Sequence, residues 1–267
     1  MSPLDKLPEE IDSLLDSFMS HAIVGNTTIG FTTYMFWLAV ALVLLLAVIF
    51  VFKKKQAASL VPQGLFVNGM EYVVEFVRDD MVKSIVGEKT WKKHFPFLAA
   101  LFFFICANSI IGVIPGCHPG TGTIGVTAAL AICSFIYFIV VGCKRLGPIG
   151  YLKSLAPEGV PFPMNAVVWV IELFSTFLRL ITLAVRLFCN MFAGHVVMGA
   201  FAILASLFVE PLLQGFSVIA LGEAGASIFW VIILIIIYVV EIMVGLIQAY
   251  VFTLLSAVYI QLAEQDD

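Results

Sequence analysis

Apolar runs long enough to cross a bilayer recur along this chain, and they restrict what it can fold into. The first covers about 31–52 and ends at three consecutive lysines, 53–55. A helix of about 20 residues spans the hydrocarbon core. The composition agrees, because 61% of the 267 residues are hydrophobic and 12% are charged, against about 25% charged in soluble domains. The chain is predicted to be an all-α polytopic membrane protein with about five membrane helices.

The rest of the first half predicts one interfacial helix and one pair of spans. Residues 64–86 mix apolar side chains with six charged ones, which is typical of an amphipathic helix lying on the membrane surface. Residues 95–142 predict a helical hairpin, with spans at about 95–114 and 123–142 joined by the loop GCHPGTG. We assign residues 1–30 to a segment outside the membrane and treat 1–267 as a single membrane domain.

The last hundred residues predict a different arrangement. No proline lies between Pro163 and Pro211, and proline is tolerated at a helix start but not inside one. If 164–209 is one helix, it is about 70 Å long, whereas the hydrocarbon core is about 30 Å thick. Residues 164–262 are therefore predicted to form two long, steeply tilted helices as an antiparallel hairpin. Ordinary spans broken at Gly194, Gly222 or Gly225 are the alternative.

Basic residues predict the orientation. They follow the first span at 53–55, precede the second at Lys92 and Lys93, and follow the third at Lys144 and Arg145. In the predicted topology all of these lie on one face, and short cytoplasmic loops are the ones enriched in lysine and arginine. The N-terminus is then outside and the C-terminus is cytoplasmic.

Charge and cysteine content exclude several classes of function. A net charge of −4 without a basic block gives no indication of nucleic-acid binding. The five cysteines lack CxxC spacing and lie mostly in apolar runs, so reduced, buried thiols are favoured over a disulfide or a metal site. We expect no metal and no cofactor.

Arg186 lies inside one of the long apolar stretches. An arginine cannot lose its proton in a protein, and insertion scales assign about 2.5–3.5 kcal/mol to a charge at the centre of a spanning helix. Such residues usually face a partner or a water-filled path. Arg186 is therefore the first candidate for a functional residue.

Further polar residues form stripes on the two long helices. At 100° per residue, Glu172, Arg179, Arg186 and Asn190 fall within a sector of about 40°, and His195 lies nearly opposite. On the last helix one face carries three more candidates: Glu223, Glu241 and Gln248.

Three interpretations of the stripes stay open. Polar side chains can hold helices together, some glutamates and arginines can pair internally, or the groups can line an ion path. In the predicted topology His195, Glu223 and Glu241 form an outer set and Glu172 lies toward the inside. Arg186 stands between them, where it would stop direct proton leakage and would favour the ionised form of a carboxylate beside it. That arrangement requires a moving carboxylate on a partner.

Two motifs carry a resemblance to a known family. LAVRLFCNMFAGH resembles a segment of subunit a of F-type ATP synthases, and EIMVGLIQAYVFTLLSAVYI resembles the final helix of that family. The resemblance implies a non-nucleotide-binding stator subunit beside a rotating ring of c-subunits, with a b-subunit peripheral stalk and the remaining F1Fo subunits as partners. It also implies a multi-pass protein of an energy-coupling membrane, such as the bacterial inner membrane. No GxxxxGK[ST] loop is present, so nucleotide chemistry would take place elsewhere in the complex.

The resemblance also implies roles for the polar residues. Arg186 would face the ion-binding carboxylate of the ring, supported by Gln248 and Asn190. His195 and Glu241 would belong to an outer half-channel, where histidine can titrate near physiological pH. Glu172 matches a position associated with an inner half-channel. Our hypothesis adds Glu223, which the predicted depth places in the outer set, to the residues through which protons enter, with exit near Glu172.

The chain departs from the family pattern at two positions of this region. Cys189 stands where the family usually has glycine beside Asn190, and Arg179 stands at a position often occupied by lysine or a neutral residue. Two rival functions remain. A self-contained transporter would show an internal repeat, which we do not find, and a purely structural membrane subunit would leave Arg186 without a mobile partner.

Overall fold

The computed structural model describes residues 22–26, 29–58, 64–114, 116–117, 119–154, 164–214 and 218–264. Side chains are described within these ranges except at 22–31, 57–58, 152–154 and 208–227. The predicted loop residue His118 lies outside the described residues.

Five of the described helices are long and apolar enough to cross a membrane, which confirms the all-α polytopic prediction. They are α1 (Thr33–Ala58), α4 (Trp91–Val113), α5 (Ile124–Ser154), α6 (Met164–Gln214) and α7 (Val218–Glu264). Two shorter helices, α2 (Leu65–Glu75) and α3 (Ser84–Val86), lie between α1 and α4. The observed ends of α1, α4 and α6 lie within six residues of the predicted ones, whereas α5 extends 12 residues past its predicted end at 142.

A short β-hairpin precedes α1 and was not anticipated from the sequence. Strand β1 (Ala22–Asn26) pairs antiparallel with β2 (Ile29–Thr32), with Asn26 opposite Ile29. The hairpin is too short to alter the fold class, and it leads directly into the first residue of α1.

The predicted amphipathic helix is present but is not a uniform α-helix. Between α2 and α3 the chain forms a π-helical segment, Phe76–Lys83. Val77 and Met81 of this segment are fully buried, whereas Arg78 and Asp79 are partly exposed and form an ion pair of 2.7 Å. The hydrogen bond from Arg78 holds the pKa of the Asp79 carboxyl below its usual value. One face therefore packs on the protein while the other remains polar, as expected for an interfacial position.

The core surrounds α4. Leu98 and Ile105 of α4 and Phe252 of α7 are fully buried and belong to one cluster with the π-helical segment and α5. Helix α5 bends at Gly147, which has φ 75° and directly precedes Pro148. Glycine adopts a positive φ without strain, so the helix is interrupted at this residue and a short second helical piece runs on to Ser154.

Helices α6 and α7 are continuous and antiparallel. Phe201 packs against Trp230, while Arg179 lies over the ring of Tyr259, so residue numbers rise on one helix as they fall on the other. Both helices run through the glycines at which a break was considered, and the alternative of ordinary broken spans is therefore wrong. At 1.5 Å per residue, α6 is about 75 Å long, which exceeds the thickness of the hydrocarbon core and requires a steep tilt.

A buried histidine joins three helices at one end of the molecule. His94 of α4 is fully buried; its Nδ1 lies 3.0 Å from the hydroxyl of Tyr137 on α5, and its Nε2 lies 2.9 Å from Oε1 of Glu264 on α7. Because an ionised carboxylate only accepts hydrogen bonds, Nε2–H of His94 donates to Glu264, and Nδ1 shares a second hydrogen bond with the Tyr137 hydroxyl. The cluster fastens the end of α7 to the α4–α5 pair.

Replacing His94 by phenylalanine should therefore destabilise the protein. The substitution keeps an aromatic ring but leaves Tyr137 and Glu264 without these bonds, a loss of about 1–3 kcal/mol. The midpoint of thermal unfolding of the purified protein in detergent should fall. The exposed neighbour Lys92 offers a control, because Lys92→Gln should leave the midpoint unchanged. Equal midpoints for His94→Phe and wild type would contradict a stabilising role.

Candidate functional site

Arg186 occupies the middle of α6. It is the 23rd of the 44 residues in the span Met164–Leu207, and its side chain is exposed on the surface of the chain. Among the described residues, no carboxylate lies within ion-pair distance of its guanidinium. A permanent charge at mid-span is thus presented outward.

Arg179, two helical turns earlier, has a different environment. One of its terminal nitrogens donates a hydrogen bond of 3.0 Å to Oε1 of Glu172, and its guanidinium lies 5.4 Å from the centre of the Tyr259 ring. The internal Glu–Arg pairing that the sequence left open therefore exists for these two residues. The two arginines of the stripe are not equivalent, since one is neutralised within the chain and the other is not.

Glu241 is buried where α7 crosses α6. Its side chain is 8% exposed, and Oε1 makes no hydrogen bond to any described residue. The carboxylate lies directly against Gly194, and a β-carbon at that glycine would overlap both carboxylate oxygens. The absence of a side chain at Gly194 is what admits the carboxylate between the two helices.

His195 lies at the same level and faces a third element. A β-carbon on Gly112 of α4 would lie 3.1 Å from Nε2 of His195 and 2.6 Å from Cβ of Pro119. Because Gly194 and His195 are consecutive, the structure brings the imidazole and the Glu241 carboxylate to one level of α6. The two predicted residues therefore lie at the same level of the helix pair, with Glu241 against Gly194 and His195 toward Gly112.

Gln248 and Asn190 lie on the same helix pair, between the level of Glu241 and that of Arg186. Gln248 is 7% exposed, and neither its Nε2 nor Nδ2 of Asn190 has a hydrogen-bond partner among the described residues. Met191 lies opposite Gly245, so the antiparallel register puts Gln248 level with about residue 188. That position is within one helical turn of both Arg186 and Asn190.

The remaining predicted residue, Glu223, lies on α7, but its side chain is outside the described residues. Sequence reasoning missed the small residues that allow the close approaches at this site. Besides Gly194 and Gly112, Ser109 of α4 packs against Gly245 of α7, where a β-carbon would lie 2.8 Å from Cβ of Ser109. Small residues at helix crossings are the usual signal for tight packing in membranes, and that signal is visible in the sequence.

Within the described part of the chain, no three histidine, cysteine or acidic side chains are grouped to hold a metal ion. The site thus consists of one exposed cation, one buried carboxylate with a histidine at its level, and two amides whose nitrogens are buried. These groups can carry and orient protons or water.

Comparison with known proteins decides the family. The model of the ATP synthase A chain matches residues 33–261, which include the whole site. This chain belongs to the ATP synthase A chain family. The resemblance seen in the two sequence motifs is thereby confirmed.

Individual ATP synthase A chains support this assignment along nearly the whole length. ATP synthase subunit a of Myxococcus xanthus is 34% identical over 252 residues, covering 94% of this chain and 76% of that protein. Subunit a 2 of Prosthecochloris aestuarii is 35% identical, with 90% and 71% covered. Subunit a of Bradyrhizobium diazoefficiens is 35% identical, with 89% of each chain covered.

The contact between Gly194 and Glu241 yields a test of the geometry. Gly194→Ala inserts a methyl group where the carboxylate lies, and overpacking of this kind costs about 1–3 kcal/mol. The unfolding midpoint should fall, and shortening the acid in Gly194→Ala/Glu241→Asp should recover part of the loss. Gly125→Ala is the matched control, because a β-carbon there meets nothing within 4 Å. Equal effects of the two alanine substitutions would contradict the close approach.

Proposed function

We propose that this chain is the stator subunit of the Fo motor of an F-type ATP synthase. In this proposal it forms two offset proton half-channels that lead to a rotating ring of c-subunits, and it couples proton translocation to ATP synthesis or hydrolysis. Membership of the ATP synthase A chain family supports the role in general. The observation that carries the finer proposal is Arg186, exposed at mid-span without a carboxylate partner among the described residues.

An exposed arginine at this depth requires a partner. A charge facing hydrocarbon would cost several kcal/mol, and the neighbouring Arg179 shows that this chain can neutralise an arginine internally. A carboxylate on the adjacent ring would supply the missing counter-charge. Arg186 would attract that carboxylate in its ionised form, and its own fixed charge would block direct passage of protons between the two sides.

The outer half-channel would pass through Glu223, Glu241 and His195. Glu241 carries a buried oxygen without a partner in the described structure, and His195 lies at the same level. The amide nitrogens of Asn190 and Gln248 are also buried without a hydrogen-bond partner in the described structure. Buried polar atoms need hydrogen-bond partners, and water is the partner that would also carry protons. The run of such atoms from Glu241 toward Arg186 supports a hydrated path.

The inner half-channel would begin near Glu172. This residue is partly exposed despite its ion pair with Arg179, so water can reach its side chain. Rotation of the ring would carry its protonated, neutral carboxyl group through the lipid, which tolerates a neutral group. The group would release its proton at the inner half-channel. A potential of 100 mV supplies about 2.3 kcal/mol per proton, so each ATP would require several protons.

The proposed setting follows from the same assignment. The protein is a multi-pass membrane protein, and we place its N-terminus outside and its C-terminus in the cytoplasm, because the basic residues then lie inside. The energy-coupling membrane would be the bacterial inner membrane. The c-ring, the b-subunit stalk and the other F1Fo subunits would be its partners, and the chain itself would bind no nucleotide.

The central test is ATP-driven proton uptake by inverted membrane vesicles. Arg186→Ala should reduce uptake by about a hundredfold or more, as for loss of a preorganised charge, and should add passive leak, while the complex stays assembled. Arg179→Gln is the matched control, because that arginine is paired within the chain, and it should retain pumping. Unchanged pumping in Arg186→Ala would contradict the proposal and would indicate that Arg186 has only a structural role.

A second test separates proton transfer from simple pairing at Glu172. Glu172→Gln should lower proton uptake because the amide cannot take up a proton. If the carboxylate served only to neutralise Arg179, removing both charges in Glu172→Gln/Arg179→Gln would restore uptake. We expect no restoration in the double variant, measured in the same vesicles.

A further inference from the structure

A cavity of about 690 Å³ opens where the start of α4, the end of the apolar run of α5 and the end of α7 meet. It lies at the opposite end of the fold from the loop between α4 and α5, and none of the proposed proton-carrying residues lines it. Its wall carries four cationic residues and two acidic ones: Lys89, Lys93, Lys144, Arg145, Glu88 and Glu264.

Both acids of the cavity are already engaged by cations or donors. Glu88 lies 3.3 Å from Nζ of Lys83, which is not part of the wall. Glu264 is held at 2.9 Å by His94, with Lys93 at 4.0 Å. The four cationic residues of the wall also outnumber its two acids, so the wall carries a net positive charge.

Two of the cations are not neutralised within the described chain. Neither Lys89 nor Lys144 forms an ion pair with any described residue. They come from different elements, the turn before α4 and the end of the apolar run of α5, and they nevertheless converge on one cavity. Such a cavity has the charge required to hold an anion with several acceptor oxygens.

The rest of the wall indicates what kind of anion. Val86 and Val141 are buried apolar side chains of the same cavity, so the cationic part adjoins an apolar part. The cations also stand at the ends of spanning helices, on the basic face that Lys53–Lys55 share. Headgroup phosphates lie at this level of a bilayer, and basic pockets between helices on this face are suited to them.

We propose that this cavity binds the phosphate group of an anionic phospholipid from the adjacent leaflet. Lys89, Lys144 and Arg145 would surround the phosphate, while Val86 and Val141 would contact the apolar part of the lipid. A bound lipid here would join α4, α5 and α7 at the same end as the His94 cluster. The proposal is independent of the proton path, since it rests on residues outside the stripe.

The test uses the whole complex reconstituted into vesicles that contain a photoactivatable lipid. One preparation carries photoactivatable phosphatidylglycerol, which is anionic, and the other carries the same label on phosphatidylcholine, which has no net charge. After illumination, labelled peptides of this chain are mapped by mass spectrometry. Phosphatidylglycerol should label the peptides around 86–93 and 141–145 more strongly than phosphatidylcholine, and equal labelling by the two lipids would overturn the proposal.

Variants then test the cations themselves. Lys89→Gln should lower labelling about fivefold, the effect of one lysine near a membrane surface, and Lys144→Gln/Arg145→Gln should lower it further. Lys144→Arg/Arg145→Lys preserves the charge and should keep the labelling. Lys54→Gln/Lys92→Gln removes two cations from the same face but outside the cavity, and it should also leave labelling unchanged; a loss equal to that of the cavity variants would contradict a specific site.

Competition distinguishes the lipid from free phosphate. Millimolar inorganic phosphate should not displace phosphatidylglycerol, because the lipid also contacts the apolar wall and is concentrated in the bilayer. Complete displacement would assign the cavity to a free anion and would overturn the lipid proposal.

Discussion

The mismatch between helix length and membrane thickness is the constraint on which the rest of this structure depends. Helices α6 and α7 are about 70–75 Å long, more than twice the thickness of the hydrocarbon core. Packed side by side, they must lie obliquely in the bilayer. Residues that are far apart in sequence on α6 are then displaced sideways in the membrane plane as well as in depth. In the proposed function, this tilt would separate the two half-channels laterally within the membrane.

The two arginines of α6 differ in whether the chain itself neutralises them. Arg179 is bound by Glu172 and lies over the Tyr259 ring, whereas Arg186 is presented outward at mid-span. Glu172 therefore neutralises Arg179, which lies away from the middle of the span, and leaves Arg186 without an acidic partner among the described residues. Between Arg186 and His195 the helix pair buries amides and a carboxylate that water can join. The proposed function, in which a ring carboxylate exchanges protons with this chain, requires an outward-facing cation beside a polar interior.

Hydropathy and proline spacing were sufficient to predict most of the fold. The continuous α6 followed from the absence of proline between residues 163 and 211, and Arg186 was identified because a charge in an apolar run is costly. The β-hairpin and the π-helical segment were not predicted, because neither has a periodicity that distinguishes it from its surroundings. The role of Gly194 depends on a contact with Glu241, 47 positions away in the chain, and the sequence gives no measure of such proximity. The pairing of Glu172 with Arg179 stayed one of several alternatives, since side-chain direction decides it.

The His94 cluster has a consequence for how the protein is built. His94 and Tyr137 are separated by 43 residues, whereas His94 and Glu264 are separated by 170. During synthesis α4 and α5 are made before α7. The hydrogen bond of His94 with Tyr137 can therefore form before the one with Glu264. The hydrogen bond to Glu264 then forms only when the last described helix has docked. Until α7 has docked, one side of the histidine would remain open to water or lipid headgroups.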